Sequence, residues 1–238
     1  MKGWLAGFHP RNKLVKAREQ YLRQHKAIPD AVRALLSAPV PMLDDDLLKA
    51  DTLVFDIETT GLNPAQDTIL SYGSVVIEQG MIGLSSSSHH YIQSPEAIKP
   101  ETAVINHILP EMLAADGEAL DDAMDMLLAE MVGRVLVVHS CKVEKAFLAR
   151  YIEKRYQLPP LPLLWIDTLA LDKALCLNKE RQQCGDFRLG ACRARHGLPP
   201  YQEHNALIDA VSTAELYLAL LKRFSNKGRA KLKHLPLR

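Results

Sequence analysis

The segment Leu53-Val54-Phe55-Asp56-Ile57-Glu58 constrains the fold of this chain more than any other stretch. An apolar run that ends in two acids reads as a buried strand over 52–58. Side chains two apart in a strand point to the same side, so Asp56 and Glu58 aim their carboxylates at one place. Like charges held together in an apolar setting are costly unless a cation joins them. Oxygen ligands of this kind suit a hard divalent ion, Mg²⁺ or Mn²⁺.

The rest of the chain is ordinary enough to house such a strand in one domain plus an extension. Its 238 residues are 47% hydrophobic and 24% charged, the balance of a soluble globular protein. No apolar run approaches the length of a membrane span. The opening Gly3-Trp4-Leu5-Ala6-Gly7-Phe8 is cut short by His9-Pro10-Arg11, too short for a signal-peptide core. The expectation is a cytoplasmic protein without a membrane partner. The 4 cysteines, Cys141, Cys176, Cys184 and Cys192, match no zinc-ligand spacing, so reduced thiols are expected.

The net charge of +1 gives no global field, but both ends are basic. Lys2, Arg11, Lys13, Lys16, Arg18, Arg23 and Lys26 face the single acid Glu19, and Lys222, Arg223, Lys227, Arg229, Lys231, Lys233 and Arg238 face none. Such ends either hold phosphates or are solvated, partly disordered termini.

Apolar spacing predicts helices over 12–25 and 31–37, and Pro39 and Pro41 then mark a boundary. Strands follow over 52–58 and 67–78, with a weaker one over 89–93. A helix over 120–132, a strand over 134–139, a helix over 142–156 and a short strand over 163–166 come next. Helices over 168–176, 187–196 and 205–223 close the pattern. Strands first and alternating elements later indicate an α/β fold, a mixed sheet flanked by helices. The chain divides into an N-terminal helical extension (1–50), a main domain (51–223) and a basic tail (224–238).

Two further acids stand at element ends. Glu144 falls in the first turn of the helix that leaves strand 134–139, at the sheet edge where α/β folds place ligands. Asp209 lies in the first turns of the last helix, for which Asn205 is a suitable N-cap. His204 then sits outside that helix, free to swing over a site. Beside a metal-bound water an imidazole is a candidate general base. Acids from three separate stretches can converge on two cations that activate water and stabilise a leaving oxygen in phosphodiester hydrolysis.

Taken together, Asp-x-Glu-Thr-Thr-Gly (Asp56 to Gly61), the segment 136–148 and His-x4-Asp (His204 to Asp209) resemble the three motifs of the DEDDh 3′–5′ exonucleases. That family includes the proofreading epsilon subunits of bacterial DNA polymerase III. The resemblance covers residues 50–222 and implies a ribonuclease H-like fold and hydrolysis of DNA from a 3′ end with release of nucleoside monophosphates. It implies that Asp56 bridges two divalent ions, Mg²⁺ or Mn²⁺, with Glu58, Glu144 and Asp209 as further ligands, and that His204 deprotonates the attacking water. It also gives Thr59 and Leu62, and more weakly Ile105, to the terminal nucleotide.

The second motif departs from the family's pattern: Glu144 stands where an Asp is expected, and Val143 where a Phe is. The extra methylene moves a metal-binding carboxylate, and the lost aromatic weakens stacking on a base. Two other readings follow: an exonuclease that trims RNA, and a nucleic-acid-binding module that has lost turnover. With only the basic tail after the last helix, a stable place beside a polymerase is not expected. The N-terminal extension is open to packing on the domain, docking a partner or forming a homodimer.

Overall fold

The computed structural model describes residues 9–93, 106–177 and 185–236. Its centre is a six-stranded mixed sheet in the order β4-β3-β2-β1-β5-β6. Strand β1 (Thr52–Thr59) pairs antiparallel with β2 (Ile69–Glu78) and parallel with β5 (Val135–Val138). β2 runs into β3 (Met81–Ile92) through Gln79 and Gly80, both at positive φ, the backbone that a two-residue hairpin turn requires. A two-residue β4 (Gly117–Glu118) lies parallel to the end of β3, and β6 (Trp165–Asp167) lies parallel to β5.

Alternation along β1 divides the core. Leu53, Phe55 and Ile57 face one apolar layer, with Leu127, Leu128, Met131, Phe147 and Ile152. These come from helices α4 (Leu120–Met131) and α5 (Lys142–Tyr156). Val54 faces the other layer, with Ala210, Ala214, Tyr217 and Leu221 of the long helix α8 (Ala206–Phe224). A sheet covered on both faces explains why β1 is almost wholly buried. It also explains why the two acids of β1 emerge on the face covered by α8. Helices α6 (Thr168–Leu177) and α7 (Leu189–Arg195) flank α8.

The α/β architecture agrees with the sequence reading, which lacked the two-residue β4 and differs in other details. β3 starts at Met81 rather than near residue 89, because its serine run lacks the apolar alternation that marks a strand. A short helix, α3 (Pro110–Asp116), lies where no element was expected. Cys141 and Cys192 are free, but Cys176 is disulfide-bonded, which corrects the reduced-thiol expectation at that position. The basic residues 226–235 are also not a loose terminus. Ala230, Leu232 and Leu235 are buried in the core that contains Leu47. Lys231 and Lys233 both pair with Asp44, at 2.9 and 2.6 Å.

The N-terminal helices α1 (Pro10–Gln24) and α2 (Asp30–Ser37) pack on the main sheet's first layer. Tyr21 donates to the Pro159 carbonyl at 2.8 Å, and Arg18 to that of Pro162 at 3.0 Å. Among the described residues no helix is long and apolar enough to cross a membrane.

Candidate active site

The four acids line one open cavity of about 470 Å³ at the C-terminal ends of β1 and β5. Asp56 and Glu58 project from β1 toward α8, and a register shift between Glu58 and Thr59 ends the regular pairing there. Bulges of this sort re-aim side chains beside sites.

Asp209 arrives through a close helix–sheet contact. Gly73 of β2 pairs with Asp56, and a Cβ on it would fall 2.2 Å from the Leu207 nitrogen and 2.3 Å from the Ala206 carbonyl carbon. Only a glycine lets the first turn of α8 lie directly on the sheet here. Asn205 caps that turn, accepting from the Ile208 N–H at 3.1 Å. One oxygen each from Asp56, Glu58 and Asp209 then lies within 4.8 Å of the others.

Glu144 comes from the first turn of α5 and is 4% exposed. It stands outside that three-acid cluster but lines the same cavity, and its charge is the largest single influence of any neighbour on Asp56. His204 lines the cavity from the loop before α8, at φ +67°. Its N–H donates to Asp209 Oδ2 at 2.8 Å.

Electrostatically the four acids penalise one another's charged forms. Burial, then the charges of Glu144, Glu58 and Asp209, push the Asp56 carboxyl well above its ordinary range. Burial and Asp209 raise Glu58 to about 8. Burial, reinforced by Asp167 and Glu58, raises Glu144 to about 8, and burial raises Asp209. Glu144 Oε2 and Asp209 Oδ1 are buried with no hydrogen-bond partner. Buried acceptors without donors are rare in folded proteins, and hard divalent ions take carboxylate oxygens of this kind. The donor set therefore fits such an ion, and Asp56, Glu58 and Asp209 could hold it.

Residues 53–217 match the family model for the RNase_T exonucleases. The chain belongs to this exonuclease family. Membership places it among nuclease enzymes. A DNA polymerase III of PolC type from Thermotoga petrophila is 29% identical over 196 residues, which is 81% of this chain but 13% of that protein. The chain thus spans a small part of its PolC-type relatives. The DNA polymerase III subunit epsilon of Treponema pallidum is 29% identical over 175 residues, 73% of this chain and 78% of that protein. Among solved structures, the E. coli exonuclease I–single-stranded DNA complex aligns with a TM-score of 0.63 at 16% identity, covering 74% of this chain and 41% of that one. It shows the shared fold.

Around the acids, this exonuclease places Thr59, whose hydroxyl donates to the Gly61 carbonyl at 2.6 Å, and Leu62, 80% exposed at the cavity mouth. Ile105 lies outside the described residues. Its neighbour Asn106 is buried against the site and donates to the Thr59 carbonyl at 3.1 Å. No spacing in the sequence singled out Asn106.

Asp167 was likewise not singled out as a site residue. It accepts from the Ser140 and Leu169 N–H groups, both at 2.9 Å, and from that of Cys141 at 3.3 Å. These bonds hold the turn at Ser140, φ +64°, that delivers Glu144. The signal was its place in Ile166-Asp167-Thr168-Leu169, directly after a strand. His139, which also lines the cavity, is committed to Thr168 Oγ1 at 2.8 Å and the Phe187 carbonyl at 2.9 Å. Burial lowers its pKa, which fits a neutral ring held in place.

Proposed function

We propose that this exonuclease removes nucleotides from the 3′ end of DNA with the help of two divalent ions, Mg²⁺ or Mn²⁺. Asp56, Glu58, Glu144 and Asp209 would hold them. The observation that carries the reading is that these acids share one cavity, with two buried carboxylate oxygens lacking any donor. When bound, the ions supply an acidified water and neutralise charge at the leaving oxygen.

The chain's own residues do the rest. His204 stands at the cavity where an imidazole can accept a proton from the attacking water. Leu62 offers an apolar face to the terminal nucleotide, and the Thr59 backbone, fixed by Asn106, shapes the floor beneath it. Preorganised charges at the point of displacement are the main catalytic resource of such a site.

Incubating a 5′-labelled single DNA strand with Mg²⁺ or Mn²⁺ gives a ladder of shortened products, which Asp56→Ala abolishes. No shortening with either ion rejects the reading. A matched RNA strand trimmed faster than DNA would replace DNA with RNA as the substrate.

A further inference from the structure

Asp209 reaches the acids on a rigid helix, whereas His204 stands on the loop between α7 and α8. Three contacts tie that loop down. Arg193 of α7, 1% exposed, donates to the Ser212 and Pro199 carbonyls at 2.5 and 2.8 Å and to Glu215 Oε2 at 2.7 Å. Tyr201 lies over its guanidinium, 4.6 Å from ring centre to Cζ, and donates its hydroxyl to Glu215 Oε1 at 3.1 Å. Glu203, next to His204, accepts from the Gly190 N–H at 3.2 Å, and a Cβ at Gly190 would fall 2.3 Å from that same oxygen.

Building on the exonuclease reading of His204, we propose that Tyr201 and Glu203 are positioning residues that clamp the 198–204 loop onto α7. The clamp keeps the His204 imidazole over the acid-lined cavity. A left-handed backbone at a residue other than glycine persists only where its surroundings over-determine it, and His204 has that backbone. Tyr201 covers the face of a buried cation whose charge Glu215 balances. The loop is thereby tied to the same residue that joins α7 to α8. Glu203 adds a second tie one residue before the imidazole. Neither side chain lines the cavity of the acids, although Glu203 borders the adjoining cavity that also contains His204 and Asp209. Both are assigned as positioning residues because their bonds run to α7 and α8 rather than to the acids.

Both side chains are exposed, and the melting temperature reads whether their removal leaves the fold intact. The test compares Tyr201→Ala, Glu203→Ala, Glu203→Gln and Gly190→Ala with wild type. It measures kcat, KM, melting temperature and the exchange rate of the His204 amide, which is bonded to Asp209. Tyr201→Ala, Glu203→Ala and Gly190→Ala should each lower kcat about 10–100-fold, the scale of a small misplacement of a reacting group. KM stays within error, melting temperature falls by no more than about 2–4 °C, and His204 exchange accelerates. Glu203→Gln, which keeps the acceptor, restores both turnover and protection.

Unchanged kcat, or lost kcat with His204 protection intact, overturns the clamp. If wild type itself cuts no strand, the exonuclease reading falls separately, and the exchange data alone decide whether the clamp exists.

Discussion

Two buried carboxylates, Glu144 and Asp172, differ in whether the chain supplies each with a partner. They are 4% and 1% exposed. Asp172 sits on α6 between Arg195, at 2.6 Å, and His196, at 2.7 Å. Burial alone would raise its pKa, but the hydrogen bonds from Arg195 and His196 outweigh it and hold the carboxyl below its ordinary range. Glu144 has no cation or donor on Oε2, and burial drives it to about 8. Where the chain supplies the counter-charge, the acid holds α6 to α7. Where the chain withholds it, the acid is left to be completed from solution.

The sharpest way to break that contrast is to remove the charge at each place. Asp56→Asn keeps shape and size, and should reduce turnover by roughly 10²–10³-fold or more, the scale for losing one preorganised charged or polar group. Steady-state kinetics on a labelled strand measure it, and melting temperature should hold or rise. Asp172→Asn should do the reverse. Leaving Arg195 and His196 without their partner costs about 3 kcal/mol, the low end for a buried pair because Arg195 is partly exposed. A thermal melt should fall by about 6–12 °C, with kcat little changed.

A smaller effect tests how Asp209 is brought in. Gly73→Ala puts a methyl against the backbone of Ala206 and Leu207, an overpacking worth about 1–3 kcal/mol. Turnover should drop more than stability predicts, because the shift moves Asp209. Equal activity in a stable variant would mean that α8 has slack.

The two kinds of acid also respond to pH with opposite sign. The stabilisation from Asp172 is present above its ordinary value of 3.8 and is lost as pH falls through its lower folded value. Glu58 and Glu144 are raised from 4.5 to about 8, so the folded state binds more protons than the unfolded chain between those values. Metal-free protein should therefore lose stability as pH climbs from about 4.5 to about 8 and level off beyond. Added Mn²⁺ should restore it most at the alkaline end. Glu144→Gln should flatten the slope and raise the metal-free melting temperature near pH 8 by ~2–4 °C, about what 1 kcal/mol gives a chain this long. Melts in EDTA across that range check it.

How much of this was legible in the sequence depends on the distance over which each signal acts. The strand period carried Asp56 and Glu58 to one face, and the Asn205 cap placed Asp209 one turn into α8. The helix start after a short buried strand located Glu144. Ile166-Asp167-Thr168-Leu169 stood out only as a softer match to the family, and Asp167 gained no role from it because its carboxylate serves N–H groups of a segment more than twenty residues away. Gly73 became meaningful only once α8 lay across it. The ordering of 226–235 was hidden by composition, since Ala230, Leu232 and Leu235 are buried among basic residues that are exposed or half-buried. The loop clamp was invisible for the same reason as Asp167: Arg193, Tyr201 and Glu215 meet only in three dimensions.

The central claim is that Asp56, Glu58, Glu144 and Asp209 form one set of oxygen ligands. A Mn²⁺ titration of the full chain followed by electron paramagnetic resonance tests it most directly. Saturable binding of two ions, weakened by Glu144→Gln and lost or nearly lost with Asp56→Asn, is the predicted result. Binding that is unsaturable, or that both variants leave unchanged, would contradict it.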